Sequence, residues 1–572
     1  MNNKPAWWFL VPGYGLLAGL YGWVAALPLP DIQTFLQDHT PRLLYAHWVL
    51  ILVATLLNGQ SLLRFARHLP PTVRRGLLLL AVAGSLMAAW VAPATHRIFY
   101  DEDIYQGIAM NMVWSNQAQM CNEGYQEYGV FYCQRGEYNK QPNGFPFLVS
   151  TVYQLLGVHE HAAFLLNNLL LGVATVTVFA IAIHVFHSLW AGLFAALITV
   201  MIPQNLHWFN TTAAEPAAAV SAALAVLAGL HAAQKKSNVA LLLFTSIAAF
   251  SLHMRPENSL ILVVSFVLIL LQWPRFFLQS RCYLFLGVFA FLILPVFMHA
   301  LLVHENPWGS STTPFAPAYF WHNFSVNFNY YFNNIQFPTL FTLLALAGVL
   351  QRRSWRGQML LWIWFLLFWG IFLFFYAGRY DYGADIRFAI PSHLPLALLA
   401  GGATQAIGHR LATMTRRPAR QWYTIMTLLL LLAFLPFLPK VRAITSEAWA
   451  ARADHYHAHE MAKIIPNDAM ILTHNPSMFH LWGNNAAQAS IALEEPNQAM
   501  HYYFQRFRGG VYFHYNFWCN VADPLQNGFC TRLLERYRHE LVVDYQVSNF
   551  HYALYRLLPP LEPDIILTTP PK

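Results

Sequence analysis

Residues 162–186 read AAFLLNNLLLGVATVTVFAIAIHVF, and this stretch contains no Asp, Glu, Lys or Arg. A helix of about 20 apolar residues is long enough to cross the hydrocarbon core of a bilayer. The same rule predicts an α-helical polytopic membrane protein with about thirteen spans along the 572-residue chain. The predicted spans are 7–27, 44–63, 77–93, 162–186, 189–203, 213–233, 239–254, 257–272, 283–303, 337–350, 358–377, 386–407 and 423–439.

The composition also indicates a chain that is dissolved in lipid. Hydrophobic residues make up 57% of the chain and charged residues only 10%, whereas soluble domains carry roughly 25% charged residues. The formal net charge of +8 is spread over short connections and forms no long basic run. The positive charge is therefore interpreted as a topology signal, and no nucleic-acid partner is expected.

Lys and Arg are concentrated in alternate connections between the predicted spans, and the positive-inside rule assigns these connections to the cytoplasm. An odd number of spans then places the N-terminus inside and the C-terminus outside. The segments 28–43, 94–161, 204–212, 304–336 and 378–385 are also predicted to lie outside. The cytoplasmic set comprises Arg64, Arg67, Arg74, Arg75, Lys235, Lys236, Arg275, Arg281, Arg352, Arg353, Arg356, Arg410, Arg416, Arg417 and Arg420.

The five cysteines agree with this orientation. Cys121 and Cys133 lie in one predicted outer loop, Cys519 and Cys530 lie in the outer tail, and Cys282 is alone at the cytoplasmic edge. Because disulfides persist in oxidising compartments, we expect one local disulfide in each outer segment. The alternative is four free thiols.

Hydropathy divides the chain into three parts. Residues 1–76 hold two additional N-terminal spans, and residues 77–440 form the main membrane domain with the outer loop 94–161. Residues 441–572 alternate short apolar runs with turn-rich stretches. That alternation predicts a small α/β domain outside the cytoplasm.

Charged residues near the membrane gather at the outer ends of the predicted spans. Charges inside a bilayer are costly, so their positions point to function. None of these charged residues lies near the middle of a predicted span, which favours a cavity that opens on one face of the membrane. The residues are Asp101, Glu102, Asp103, Glu215, Arg255, Glu257, Arg379, Asp381, Asp385 and Arg387.

Four segments carry a family resemblance in a fixed order. They are Asp101-Glu102-Asp103-Ile104-Tyr105, Lys140-Gln141-Pro142, Gly157-Val158-His159-Glu160, and either Arg379-Tyr380 or Arg387 with Pro391. They resemble the Asp-Glu-x-x-Tyr, Glu-Lys-Pro-Pro-Leu, Gly-x-Ser-Glu and Arg-Tyr…Pro motifs of the bacterial dolichyl-phosphate-mannose-mannosyltransferase-like family, which includes the lipid A aminoarabinose transferase group. The match covers residues 77–410.

The resemblance implies the C-type glycosyltransferase fold in a bacterial inner membrane, with the site in an outward cavity beneath loop 94–161. The donor would be a polyprenyl-phosphate sugar, and the acceptor lipid A, another envelope glycan or a protein. Asp101 would be the base, with Glu102 as its orienting partner, because the acceptor must lose a proton as it attacks. Desolvation at a membrane edge increases the basicity of a carboxylate. The alternative is that these acids only stabilise a helix beginning near Ile104.

The resemblance also implies cations beside the leaving phosphate, which needs them. Each candidate cation could instead pair with a carboxylate, the partners being Glu257, Glu137 and Asp385. Glu215, an acid at the start of a span, and Tyr105, the tyrosine of the first motif, are further candidates. The substrate-binding set is Tyr105, Glu137, Lys140, Glu215, Arg255, Arg379 and Arg387.

One position departs from the family. Where relatives have Glu before Lys-Pro-Pro, this chain has Asn139. That Glu is implied to partner the first Asp and, in some members, to bind a metal. Glu137 is the nearest substitute, so a divalent metal stays open and no cofactor is assigned. Four histidines lack ligand-like spacing and are interpreted as surface or packing residues: His159, His161, His304 and His322.

Two other functions fit a polytopic chain. A transporter or lipid flippase is expected to carry charges near mid-span and, often, paired halves with interrupted helices. Neither is visible in the sequence. A non-catalytic relative that kept the fold is the second alternative, and the departure at Asn139 favours it.

We expect cysteines introduced singly at Asp101 and Arg379, in a Cys282→Ser background, to react with a membrane-impermeant maleimide in intact spheroplasts. Both positions belong to outer segments under the positive-inside assignment. A cysteine at Lys235 should react only after lysis. Labelling of Asp101 and Arg379 from opposite sides would exclude a common water-facing cavity.

Overall fold

The structure is a computed structural model that describes residues 7–306, 310, 313–349, 354–381, 383–443, 448–521 and 524–559. Arg352 and Arg353, which are assigned above to a cytoplasmic connection, lie outside the described residues. The chain forms two compact units that interleave along the sequence. The membrane unit comprises Met1–Thr95, Lys140–Val152 and His161–Glu447, and the sheet unit comprises His96–Asn139, Tyr153–Glu160 and Ala448–Lys572.

Helices dominate the chain. In order they are α1 (Trp7–Ala25), α2 (Leu29–Leu57), α3 (Gly59–His68), α4 (Pro71–Val91), α5 (Asp101–Trp114), α6 (Gly144–Leu156), α7 (Glu160–Phe186), α8 (Leu189–Met201), α9 (Pro203–Trp208), α10 (Glu215–Lys235), α11 (Asn238–Ser251), α12 (Ile261–Gln272), α13 (Ser280–Leu292), α14 (Leu294–Val303), α15 (Phe320–Phe332), α16 (Thr339–Gly348), α17 (Trp355–Gly370), α18 (Ile390–Thr415), α19 (Ala419–Phe434), α20 (Leu438–Arg442), α21 (Trp449–Ile464), α22 (Pro476–Leu481), α23 (Gln498–Arg506), α24 (Phe517–Asn520) and α25 (Pro524–Arg536).

The predicted α-helical membrane fold is confirmed. Every predicted span overlaps a helix of the membrane unit. Within the described residues, seven helices are long and apolar enough to cross a bilayer, or up to eight if the bent pair α13–α14 forms one span. Several of the remaining helices are apolar but shorter. The total of about thirteen spans therefore stays a prediction.

The boundary predicted for the second span is wrong, because α2 begins at Leu29 and not at residue 44. Pro30 lies in the first turn, where its missing N–H has no intrahelical partner to lose, and Asp31 adds favourable negative charge there. The polar side chains of this half make it resemble a loop in a hydropathy profile. They include Gln33, Gln37, Asp38 and His39.

Small residues allow the central helices of the membrane unit to pack closely. A Cβ atom added at Gly401 of α18 would lie 2.4 Å from the backbone nitrogen of Ala195 on α8. Backbone atoms cannot move aside as a flexible side chain can, so only glycine fits at this contact. Such close packing is a main source of helix association in lipid, where no hydrophobic effect draws helices together. The close contact between Gly401 and Ala195 fixes the position of α18, whose N-terminal end follows the candidate residue Arg387.

The sheet unit contains one seven-stranded sheet in the order β2-β1-β4-β3-β5-β7-β6. The hairpin β1–β2 comes from the predicted outer loop, and β1 pairs antiparallel with β4 through Glu123 and Gly124. The central strands β3, β4 and β5 are parallel. The predicted small C-terminal α/β fold is confirmed, and strands from loop 94–161 extend its sheet. The strands are β1 (Met120–Glu127), β2 (Val130–Glu137), β3 (Met470–Thr473), β4 (Asn485–Gln488), β5 (Val511–Tyr515), β6 (His539–Val547) and β7 (Phe550–Leu557).

Both predicted disulfides are confirmed. Cys121–Cys133 links β1 to β2, and Cys519–Cys530 links α24 to α25. Cys282 is a free cysteine. Each bridge lies within the sheet unit, where it restricts the unfolded chain and so stabilises the fold.

We expect Gly401→Ala to destabilise the protein by about 1–3 kcal/mol, the usual cost of overpacking a tight contact. The added methyl group would force α8 and α18 apart. Gly370→Ala is the matched control, because a Cβ at Gly370 has no atom within 4 Å. The measurement is the thermal unfolding midpoint in detergent. Equal midpoints for the two variants would contradict the close contact.

Candidate functional site

Two arginines of the membrane unit converge on one buried glutamate. Glu215 opens α10 and its side chain is 0% exposed. Its Oε1 accepts hydrogen bonds from Arg255 Nη1 and Arg387 Nε, both at 2.8 Å. Arg255 follows α11 and Arg387 precedes α18, so three separated segments meet at one carboxylate oxygen. Together with Glu257 and Asp385, these residues are called the arginine–glutamate cluster below.

Two further carboxylates share the arginines. Glu257 Oε1 lies 2.5 Å from Arg255 Nε, and Asp385 Oδ1 lies 3.1 Å from Arg387 Nη1. The pairings of Arg255 with Glu257 and of Arg387 with Asp385, which the sequence offered as alternatives to phosphate binding, therefore exist. A guanidinium carries five N–H donors in a planar fork, so pairing with a carboxylate and contact with a phosphate are compatible.

An aromatic-lined cavity of about 240 Å³ opens beside this cluster. The ring of Phe388 lies under both guanidinium groups, 4.4 Å from Arg387 Cζ and 5.8 Å from Arg255 Cζ. The cavity thus combines a charged rim with apolar walls. The rim and wall residues include Arg255, Glu257, Leu260, Phe315, Ile371, Phe372, Phe375 and Phe388.

The other predicted cations of the membrane unit have different surroundings. Arg379 donates two hydrogen bonds to Asp381, at 2.9 and 2.7 Å, on a partly exposed surface. It is not a member of the arginine–glutamate cluster. Lys140 is half-buried at the start of the segment that leads to α6. Between the two candidates for the Arg…Pro helix start, only Arg387 directly precedes a helix, because α18 begins at Ile390 with Pro391 in its first turn.

Three consecutive acids open α5 in the sheet unit, and the helix begins at Asp101 and not near Ile104. Glu102 is buried, and its Oε2 accepts hydrogen bonds from the backbone N–H of Arg97 at 2.5 Å and of Ile98 at 2.9 Å. Glu102 therefore holds the turn before the helix in place. Its predicted role as the orienting partner of Asp101, like the role of Asp101 as base, stays a prediction.

Asp103 belongs to a second cluster, formed with His96, Glu160 and His455 and called the histidine–carboxylate cluster below. Its Oδ1 lies 3.4 Å from His96 Nδ1 and 3.5 Å from His455 Nε2. Glu160 Oε1 lies 2.9 Å from His96 Nε2 and 3.0 Å from His455 Nε2. All four residues lie in the sheet unit and can present donor atoms within 4.8 Å of one another.

The two carboxylates dominate the electrostatics of this cluster. Burial by itself lowers the pKa of His455, but Asp103 and Glu160 outweigh burial and raise that pKa to about 10. Burial also opposes a charged His96, yet the Asp103 carboxylate raises its pKa as well. None of the four residues is among the site residues that the sequence predicts. The sequence did mark Asp103 as a charge at an outer span end and Glu160 as part of a motif, and residues 455–459 have histidine at every second position.

In the described part of the sheet unit, the remaining predicted residues form no family-type metal site. Glu137 accepts a hydrogen bond from Asn122 Nδ2 at 2.7 Å, and Asn139 Nδ2 contacts the sulfur of Met120 at 3.7 Å. Tyr105 is buried in α5. Among the residues described by the structure, no group of three His, Cys, Asp or Glu ligands contains Asp101 or Glu137. The donors present here therefore do not fit the metal that the family resemblance leaves open.

Comparisons with known proteins agree with the fold. Residues 140–299 match the family model described as dolichyl-phosphate-mannose-protein mannosyltransferase. The structure is similar to ArnT from Cupriavidus metallidurans bound to undecaprenyl phosphate, with a TM-score of 0.53 and 14% identity over 84% of this chain and 98% of that chain. The apo form of that protein gives a TM-score of 0.51 and 15% identity over 84% and 98%.

No curated protein sequence matches the chain. The family model covers the part of the membrane unit that holds Lys140, Glu215 and Arg255, and the structural similarity covers most of the chain. The chain is therefore similar to that family over residues 140–299 and shares the fold of the ArnT structures.

Proposed function

We propose that this protein transfers a sugar from a polyprenyl-phosphate carrier to an acceptor outside the cytoplasm, with Asp101 as the base. The acceptor is lipid A, another envelope glycan or a protein. The observation that carries the proposal is the arginine–glutamate cluster, of which Arg255 and Glu257 line an aromatic-lined cavity. A lipid-linked phosphate has the same combination of one charged group and one apolar chain.

Arg255 and Arg387 are the proposed phosphate ligands. Glu215 accepts a hydrogen bond from each of them and so fixes the distance between the two guanidinium groups. Phe388 packs beneath both, which keeps water away from one face of each cation. Charge-assisted hydrogen bonds from arginine to phosphate are strong and directional, and they strengthen where water is excluded. The ArnT neighbour was solved with undecaprenyl phosphate, a ligand of this chemical class.

The reaction needs one proton acceptor and one stabilised leaving group. The acceptor oxygen forms a bond to the anomeric carbon as the bond from that carbon to the phosphate oxygen breaks. The bonding electron pair leaves with the phosphate, which becomes polyprenyl phosphate beside Arg255 and Arg387. The proton of the acceptor moves to the carboxylate of Asp101. General-base assistance of this kind contributes about 10²–10⁴-fold to a rate.

The first turn of α5 supports Asp101 over its neighbours. Glu102 already receives the backbone N–H groups of the preceding turn, and Asp103 lies among the imidazoles of the histidine–carboxylate cluster. Stabilising the helix N-terminus requires only one of three acids. A third acid at the same terminus therefore favours a chemical role for Asp101 over a purely structural one.

We expect Asp101→Asn to lower the rate of sugar transfer by about 100-fold or more, because amide nitrogen and oxygen are poor proton acceptors. The readout is mass spectrometry of envelope glycolipids and glycoproteins in cells that contain the variant and wild type at equal abundance. Asp31→Asn is the control, since Asp31 also lies in the first turn of a helix, α2, but outside the motif. Unchanged glycolipids and glycoproteins in the Asp101→Asn cells would refute the base assignment.

We expect Arg255→Gln to weaken binding of undecaprenyl phosphate by about 10–100-fold, the effect of losing a hydrogen bond to a charged group. Arg255→Lys keeps the charge but not the planar fork and should fall between wild type and Arg255→Gln. The affinity is measured by titrating the purified protein in nanodiscs.

The exposed Arg420→Gln is the control for this titration. Thermal midpoints of all variants separate loss of binding from loss of folding. Equal affinities for wild type and a folded Arg255→Gln protein would rule out this arginine as a phosphate ligand.

A further inference from the structure

The histidine–carboxylate cluster brings together four side chains of the kinds that hold transition metals. Two imidazoles and two carboxylates can present donor atoms within 4.8 Å of one another. The side chains of His96 and Asp103 are 4% and 1% exposed, and those of Glu160 and His455 are 23% and 19% exposed. The cluster is therefore buried on one side and reachable from the other. We propose that it binds one zinc ion, which acts as a structural crosslink within the sheet unit.

The spacing of the donor atoms matches a four-coordinate zinc shell. With zinc bonds of about 2.0–2.2 Å, neighbouring ligand atoms in a tetrahedron lie about 3.3–3.6 Å apart. Both carboxylates meet the same nitrogen of His455, since His455 Nε2 lies 3.5 Å from Asp103 Oδ1 and 3.0 Å from Glu160 Oε1. His96 would give one of its two nitrogens, of which Nδ1 lies 3.4 Å from Asp103 Oδ1 and Nε2 lies 2.9 Å from Glu160 Oε1. Four donor atoms, one from each residue, lie within 4.8 Å of one another, so side-chain adjustments would bring them to the separations of a zinc shell.

The contacts of Asp103 are also long for direct ion pairs. Charge-assisted hydrogen bonds between nitrogen and a carboxylate are usually about 2.7–2.9 Å. Asp103 Oδ1 is buried and receives no well-aligned hydrogen bond from the residues that the structure describes. Its other oxygen, Oδ2, accepts a hydrogen bond from Asn475 Nδ2 at 2.9 Å. Asn475 thus orients the carboxylate and leaves Oδ1 directed at the imidazoles, as an outer-sphere partner does in metal sites.

The donor set favours zinc over the hard cations. Magnesium and calcium prefer shells made of oxygen, whereas zinc accepts imidazole nitrogen and carboxylate oxygen in closed four-ligand sites. The two carboxylates also balance the double positive charge of the ion. The other group of described residues with ligand-like proximity, His474 with Cys519 and Cys530, is different, because both sulfurs are held in a disulfide.

A bound ion would join segments that are far apart in the chain. His96 precedes α5, Asp103 lies in its first turn, Glu160 opens α7 and His455 lies in α21. The crosslink would fix the first turn of α5, which also carries Asp101, relative to α21. Its ligands include none of the residues that the proposed sugar transfer uses.

The alternative is a network in which protonated imidazoles balance the carboxylates without an ion. Measuring the zinc content of the purified protein distinguishes the metal site from the ion-free network. Full-length protein in detergent is stripped with EDTA, dialysed against zinc chloride and then against metal-free buffer, and its zinc is counted by mass spectrometry. We expect about one zinc ion per wild-type chain, as for a closed four-ligand site. The same protocol with magnesium chloride should leave no bound magnesium.

Glu160→Gln and His455→Ala should each lower the zinc content at least about fivefold, since loss of one ligand opens the shell. Zinc should raise the thermal midpoint of wild type but not of these variants. His459→Ala is the matched control, because His459 lies one turn further along α21 and is about half exposed. Glu160→Gln keeps the shape of the side chain and covers the case in which His455→Ala does not fold.

The inference is overturned if wild type retains no more zinc than Glu160→Gln, or if His459→Ala loses zinc to the same extent. Both measurements are made without donor or acceptor. A protein that binds zinc but transfers no sugar would refute the proposed function and leave the metal site intact. A protein that transfers sugar but binds no zinc would refute the metal site and leave the proposed function intact.

Discussion

The membrane unit is organised around the cost of burying charge. Glu215 is fully buried at the start of a helix that is itself surrounded by other helices. An isolated carboxylate in such a place would be strongly destabilising, and it is tolerated because two guanidinium groups donate to it. Arg255 and Arg387 in turn need the carboxylate of Glu215 to balance their own buried charges. This mutual dependence holds the ends of α10, α11 and α18 together and shapes the rim of the aromatic-lined cavity.

Hydropathy and charge predicted most of the membrane fold. Every predicted span meets a helix, because an apolar stretch that must satisfy its own backbone groups in lipid becomes a helix. The start of α2 was missed because its first half is polar, and a hydropathy window responds to composition and not to backbone hydrogen bonds. Alternating apolar runs predicted the small C-terminal sheet. The local sequence pattern did not predict which strands pair with β4. Long-range strand pairing leaves no mark in a single sequence.

The candidate site was predictable in part, for the same physical reasons. Charged residues at span ends are so costly that their presence alone marked Glu215, Arg255 and Arg387. Their convergence on one oxygen depends on tertiary packing, and the sequence offered equally plausible local partners for each arginine. The histidine–carboxylate cluster was missed because its four side chains come from three separated parts of the chain, residues 96–103, Glu160 and His455, without regular spacing. His455 differs from the neighbouring histidines of α21 only in the face of the helix on which it lies.

The shared sheet has a consequence for how the protein is made. The hairpin β1–β2 leaves the ribosome long before β4, which lies more than 300 residues later and pairs with Glu123 and Gly124. Until translation reaches β4, the hairpin keeps an open edge and the sheet unit lacks its central strands. Biogenesis therefore leaves α5, which precedes the hairpin, incompletely supported until almost the whole polypeptide has been inserted. A nascent chain that stalls before β4 would carry its helices into the membrane but would not assemble this unit.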